Sequence, residues 1–293
     1  MFSFRAQQKV FEFNGIRIGG SILENPPVLI GSIFYNGHKI FTDEKKGLFD
    51  KDKALQLIHE VEELSSKTGI PYMFDVVVNY SDAAYNILKF AIDNIKVPFL
   101  IDSPGVEITK ITMKIVKDFG VVNKVIFNSL TAKTKEEEYE VLSSAGIKAA
   151  VALLYTNKIM DMDDRLRNLE IILANASKYG IEKILVDTFV IDLPSLSIAM
   201  RAMIEVKNRY GLPVGAGAHN AVSVQEKAFR DRFGRDGYIA SELISNMAPI
   251  VIGANFILYG PIESSKYVFP ATYSIYMSYK RAFERNRNLI INL

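Results

Sequence analysis

The stretch RLRNLEIILANASKYGIEKILVD, residues 165–187, contains one complete unit of the fold. Arg165–Tyr179 has the amphipathic pattern of a helix. Tyr179-Gly180 ends it, because glycine takes the left-handed conformation that closes a helix at little cost. The chain then enters an apolar run, Lys183–Asp187, whose last residue is an acid. A continuous aliphatic run of this length suits a strand buried on both faces, and hence a parallel sheet.

The same unit recurs outward in both directions. Apolar runs occupy Pro27–Phe34, Pro71–Val78, Pro98–Asp102, Lys124–Asn128, Ala149–Tyr155, Lys183–Asp187, Pro213–Asn220 and Asn255–Gly260, with helical patterns such as Lys53–Lys67 between them. Breakers at Thr68-Gly69, Ser144-Ala145-Gly146 and Tyr210-Gly211 make short links from helix to strand. The long connections, Tyr35–Asp50 and Ala221–Gly237, follow strands and read as loops. Eight alternating units predict an α/β chain folded as one (β/α)₈ TIM barrel over residues 1–293, with its chemistry at the carboxyl ends of the strands. An open doubly wound sheet is the rival. It would carry a glycine-rich phosphate turn after its first strand, and Gly31-Ser32-Ile33-Phe34-Tyr35 is not G-x-G-x-x-G. Ahead of the first run, Phe11–Gly20 alternates around Asn14-Gly15. That dipeptide favours a type I′ turn and predicts an N-terminal β-hairpin across the bottom of the strands.

Composition removes several function classes. The 293 residues include no cysteine, so thiolate chemistry and disulfides are excluded. Lys+Arg 35 against Asp+Glu 33 leaves a charge of +2, which gives no general attraction to nucleic acid or to a membrane surface. The basic run Lys280, Arg281, Arg285 and Arg287 reads as the solvated face of a final helix. Apolar runs such as Ala149–Tyr155 are too short for a bilayer, and no signal core follows Met1. A cytoplasmic location without membrane insertion is the expectation. His38, His59 and His219 have no metal-binding spacing. Asp75, Asp102 and Asp187 could hold a hard cation, but they form no tight ligand cluster in the sequence, and no metal is expected. His59 is expected on a helix surface, and His38 and His219 in segments of the catalytic face.

The strand ends carry the candidate chemistry. Phe74 precedes Asp75, Ile101 precedes Asp102, Phe127 precedes Asn128, Val186 precedes Asp187 and His219 precedes Asn220. A buried carboxylate or amide without a partner is costly, so each needs another polar group, loop backbone or a ligand. One such residue is as readily a loop cap as a site. Several on converging strands favour a site. A set of carboxylates and amides both accepts and donates, which suits a planar heterocycle with ring N–H groups, an amine and a carbonyl.

Specific words add to this. Gly31–Ile40 with Asp43–Asp50, Pro98–Ser103, Ile126–Ser129, Gly211–Gly215 and Asn255–Pro261 resemble the H subunit of tetrahydromethanopterin S-methyltransferase. That family includes bacterial methyltransferases acting between a corrinoid protein and tetrahydrofolate, of the glycine betaine demethylation type. The resemblance implies a pterin-binding barrel similar to dihydropteroate synthase. It implies that Asp102, Asn128 and Asp187 anchor the pterin ring, with Asp75 as an addition, and that Asn220 is the catalytic amide near N5. It implies methyl transfer between a methylcorrinoid protein and N5 of tetrahydrofolate. The alternatives are a tetrahydromethanopterin-specific homologue or a non-catalytic docking subunit. The corrinoid (cobalamin) would be supplied by a partner protein, since the chain lacks an Asp-x-His-x-x-Gly sequence. The family also implies a homodimer.

Overall fold

The computed structural model describes residues 2–286 and 290–293. Eight parallel strands stand side by side: Val28–Ile33 (β1), Tyr72–Val77 (β2), Phe99–Asp102 (β3), Val125–Leu130 (β4), Ala149–Leu153 (β5), Lys183–Asp187 (β6), Val214–Gly215 (β7) and Phe256–Pro261 (β8). Ladders link β1 through β7 in chain order, and β8 returns to pair with β1. The remaining seam is closed by the Asn255 N–H donating to Val214 O at 2.7 Å and the Leu258 N–H donating to Ala216 O at 3.1 Å. The helices alternate with the strands: Lys51–Thr68 (α1), Ala84–Asn94 (α2), Val106–Asp118 (α3), Glu136–Ala145 (α4), Met162–Lys178 (α5), Leu193–Tyr210 (α6), Asn220–Ser223 (α7), Glu226–Val251 (α8) and Ser265–Arg285 (α9). The eight apolar runs and their order are those expected.

Strand parity sets what each strand faces, because successive side chains point to opposite sides. Leu29, Phe74, Ile101, Phe127, Val186 and Ile257 face outward into the core under the helices. Val28, Ile30, Met73, Leu100, Ile126, Val151, Leu185 and Phe256 face inward and form a second cluster. The next inward positions, one step toward the carboxyl ends, are Ser32, Asp75, Asp102, Asn128, Leu153 and Asp187. The interior therefore changes from apolar to polar within one repeat of the pleat.

The hairpin forms as expected. Val10–Phe13 pairs antiparallel with Ile16–Gly19, and Asn14 and Gly15 take φ of 40° and 87°. Phe13 and Ile18 join the inner cluster, so the hairpin seals the bottom of the barrel. Phe13→Ala removes a buried ring from this seal and should cost about 3 kcal/mol or more of unfolding free energy, as read from denaturant melts.

Breakers and polar faces follow the sequence closely. Gly69, Gly146, Gly180 and Gly211 all adopt positive φ just beyond a helix. Lys280, Arg281 and Arg285 are solvent-facing on α9, while Arg287 lies outside the described residues. His59 is exposed on α1, 2.8 Å from Glu62. Among the described residues, no helix is long and apolar enough to cross a membrane.

Three local expectations need correction. The Ala221–Gly237 connection is helical, not a loop: α7 and then the first turns of α8, up to a break at Gly234 with φ 72°. An Arg230–Glu226 ion pair at 2.6 Å and a Phe229–Phe233 ring pair at 5.7 Å, each four residues apart, support those turns. The Tyr35–Asp50 connection contains a small hairpin, Phe41–Asp43 with Leu48–Phe49. The seventh run leaves the sheet early, at Gly215 rather than Asn220. Beyond it, Gly217 and Asn220 form a turn, with the Asn220 N–H donating to Gly217 O at 3.2 Å, so a helix start positions Asn220.

Candidate active site

A cavity of about 480 Å³ opens at the carboxyl ends of the strands. Asp75, Asp102, Asn128, Asp187 and Asn220, all singled out in the sequence, line it together. Sheet register sets the neighbours: Ser32 is level with Asp75, and Asp102 is level with Asn128.

Asp75 sits deepest. One of its oxygens accepts from Ser32 Oγ at 3.0 Å and the other from Asn128 Nδ2 at 3.1 Å. That bond uses one of the two N–H donors of the Asn128 amide and leaves its carbonyl oxygen as an acceptor for a ligand. Burial raises the Asp75 carboxyl above the usual carboxylate range, and the bonds from Asn128 and Ser32 oppose the shift. Asp102 is pushed up to about 8, first by burial and then by the neighbouring charge of Asp75. The two buried carboxyls therefore hold a proton more readily than free carboxylates do, and the one that holds it can donate as well as accept.

The sign of that shift gives a test. Asp102 stabilises the fold fully below its unfolded-state pKa, and the contribution is lost as pH rises toward about 8. Asp102→Asn does not titrate. Its Tm relative to wild type should climb between about pH 4 and pH 8, by roughly 3 °C or more, in parallel thermal melts.

Asp187 has a different setting. One oxygen accepts from the Phe189 N–H at 2.8 Å and the other from the Gly217 N–H at 3.2 Å. Burial raises its pKa to about 6, while the two backbone bonds and the charge of Arg165 restrain the rise. It is therefore largely anionic at neutral pH and retains lone pairs for a ligand. An added Cβ on Gly217 would lie 3.2 Å from Asn220 Nδ2 and 3.9 Å from Asp187 Oδ2. That glycine sits between the two side chains and leaves them room to share one ligand.

His219 is buried, and burial lowers its pKa. Its Nδ1 lies 3.2 Å from Leu258 O, and a carbonyl only accepts, so Nδ1 carries the proton and Nε2 is bare. Gly260 makes space for this ring; a Cβ there would come within 2.8 Å of it. His38 is buried beneath the rim. Its Nδ1 accepts from the Phe34 N–H at 3.1 Å, so Nε2 carries the proton and faces Glu263, 3.3 Å away. Tyr35, which lines the cavity, stacks on His38 at 4.3 Å and donates to Glu263 at 3.0 Å. His38 is thus a support for Tyr35.

Ser32, Tyr35, Ser129 and Phe189 are cavity residues that the strand-end reading does not select. Ser32 has a signal: a polar residue at an inward position of an otherwise apolar strand. Among the described residues, no group of three or more His, Cys, Asp or Glu side chains is placed to hold a metal ion.

Comparison with known proteins extends the geometry. Residues 6–291 match the family model described as tetrahydromethanopterin S-methyltransferase MtrH subunit. The H subunit of that enzyme from Methanothermobacter thermautotrophicus is 34% identical over 282 residues, covering 92% of this chain and 91% of the relative. The Methanocaldococcus jannaschii counterpart is 32% identical over 290 residues, with 92% and 91% covered. That of Methanosarcina acetivorans is 32% identical over 285 residues, with 92% and 90% covered. Among solved structures, Yersinia pestis dihydropteroate synthase in a sulfonamide drug complex superposes with a TM-score of 0.66 at 13% identity, over 94% of this chain and 100% of that one. Xanthomonas albilineans dihydropteroate synthase with 7,8-dihydropteroate gives 0.60 at 15% identity, over 93% and 98%. The structural likeness extends to the barrel fold.

Proposed function

We infer, from the premise that this chain belongs to the tetrahydromethanopterin S-methyltransferase MtrH family, that it is a methyltransferase acting between N5 of a tetrahydropterin and a corrinoid held by a partner protein. The observation that carries the inference is the meeting of Asp102, Asn128, Asp187 and Asn220 around one cavity at the barrel mouth. The relatives are named for tetrahydromethanopterin, which favours that carrier over tetrahydrofolate. A single domain over residues 1–293 in the cytoplasm completes the proposal, together with the homodimer and the corrinoid protein docked over the mouth that the family resemblance implies.

The residues suit a pterin ring. Asp187, anionic with one backbone donor on each oxygen, would accept from adjacent ring N–H and amino groups. Asn128 would accept through the oxygen that Asp75 leaves free. Asp102, whose carboxyl pKa burial raises, would in its protonated form meet a ring edge that presents both a donor and an acceptor. Asn220 would orient N5 and follow its change of charge, since an amide can donate to a lone pair or accept from an N–H. A corrinoid on a docked carrier protein would supply the cobalt chemistry of methyl transfer. No nucleophile from this chain is needed. Its contribution is alignment of N5 and electrostatic support as charge changes there.

The test is direct. The purified chain is mixed with a methylcorrinoid protein and with tetrahydromethanopterin or tetrahydrofolate, and the corrinoid is followed by its absorbance. Methyl transfer to either carrier is the expected result. A stable complex with the corrinoid protein but no turnover with either carrier would make the chain a docking component and overturn the catalytic assignment.

A further inference from the structure

Behind Asp187 lies a side chain that the cavity does not contain. Arg165, in the first turn of α5, is 0% exposed. A guanidinium so placed must find partners for its donors, or its burial would be prohibitive. It finds them on two of the loops that form the rim. Its Nη1 donates to Thr188 O and, at 2.8 Å, to Phe189 O. Its Nη2 donates to Ile159 O at 2.8 Å, and Nε to the same oxygen at 3.3 Å. The guanidinium also lies 5.5 Å from the centre of the Phe189 ring. One residue thus ties the loop after β5 to the loop after β6.

Those carbonyls belong to the segment that shapes Asp187. Phe189 has a φ of 66°, an unfavourable region for a residue with a side chain, and its N–H is the donor to Asp187 Oδ1. Holding the Thr188 carbonyl fixes the peptide plane that carries that N–H, and holding the Phe189 carbonyl fixes the plane that follows it. Arg165 is also the charge that acts on Asp187 and favours its anionic form. The other titratable groups on the cavity wall are Asp75, Asp102, Tyr35 and His219, and none of them is a cation at neutral pH.

We propose that Arg165 is a positioning residue for the reaction: through the backbone of Thr188 and Phe189 it holds Asp187 as an oriented anion that grips the pterin ring. The proposal rests on the functional assignment above, in which Asp187 contacts the pterin.

A double-mutant cycle on tetrahydropterin binding tests it, using the full chain with wild type, Arg165→Met, Asp187→Asn and the double variant. Arg165→Met should weaken binding at least tenfold in the wild-type background and less than twofold when residue 187 is already asparagine. Arg165→Lys, which keeps a charge and part of the bonding, should fall between wild type and Arg165→Met, and it serves as the test if the methionine variant does not fold. Binding by Arg165→Met should also fall off at a higher pH than in wild type as the solution is acidified, because Asp187 loses its supporting charge. Equal losses in both backgrounds, or an unchanged pH profile, would make Arg165 a structural brace only and overturn the proposal while leaving the function standing. A wild type that binds no tetrahydropterin would overturn both.

Discussion

Asp187→Ala is expected to weaken tetrahydropterin binding by about 100-fold or more. Hydrogen bonds to a charged acceptor are worth about 1.5–3 kcal/mol each, and loss of two corresponds to roughly 10²–10⁴ in affinity. The carboxylate is well placed for such bonds. It is largely buried and held by the Phe189 and Gly217 N–H groups, so little ordering is needed when a ligand arrives. Its removal also leaves those two N–H groups without their acceptor, at about 1–3 kcal/mol each. Thermal melts therefore accompany the titration, and affinity is compared below the variant's own Tm. A calorimetric Kd within threefold of wild type would remove Asp187 from the ring site.

Asn220→Ala is expected to act on the other half of the cycle. Transfer in single-turnover experiments should slow by about 10²–10³-fold, the usual loss when one placed donor for a developing charge is removed. Pterin affinity should change by less than about tenfold, since one neutral hydrogen bond contributes about 0.5–1.5 kcal/mol. The split between rate and affinity identifies an interaction that strengthens in the transition state. Asn220 is suited to such a test because it begins the short helix α7, across Gly217 from the Asp187 carboxylate. Transfer at the wild-type rate would exclude an N5 role for this amide.

Much of this architecture is legible in the sequence because it depends on short-range pattern. The run Lys183–Asp187 is a strand with the bounds read from its residues, and Gly180 and Gly211 close the helices they follow. Asp102, Asn128 and Asp187 can be found because a polar residue on the inward parity of an apolar strand can only lie at one end of the barrel interior. What stays hidden depends on contacts between distant segments. Asn128 Nδ2 meets Asp75 across 53 positions in sequence, and only the register of β2, β3 and β4 brings them together. Asp75 enters the sequence reading only as an addition to the ring anchors; its bonds to Ser32 and Asn128, which join it to the rest of the cavity wall, are visible only in the fold. Arg165 reads as part of an amphipathic helix, and nothing local shows that its guanidinium turns inward to the carbonyls of residues 188 and 189. Helical turns at Glu226–Phe233 escape a reading by pattern because their exposed face lacks the apolar stripe that marks a buried helix.

The proposed function depends on a tetrahydropterin bound in the barrel mouth. A crystal structure of the chain with bound methyl-tetrahydropterin measures this most directly, because the protein offers a clear alternative. A larger cleft of about 610 Å³ lies outside the barrel, lined by Phe49, Leu55, Tyr85 and Phe90. The expected result is the ring in the mouth, within hydrogen-bond distance of Asp102, Asn128 and Asp187, with N5 turned toward Asn220. A ring in the outer cleft, or in the mouth without contact to Asp187, would contradict it.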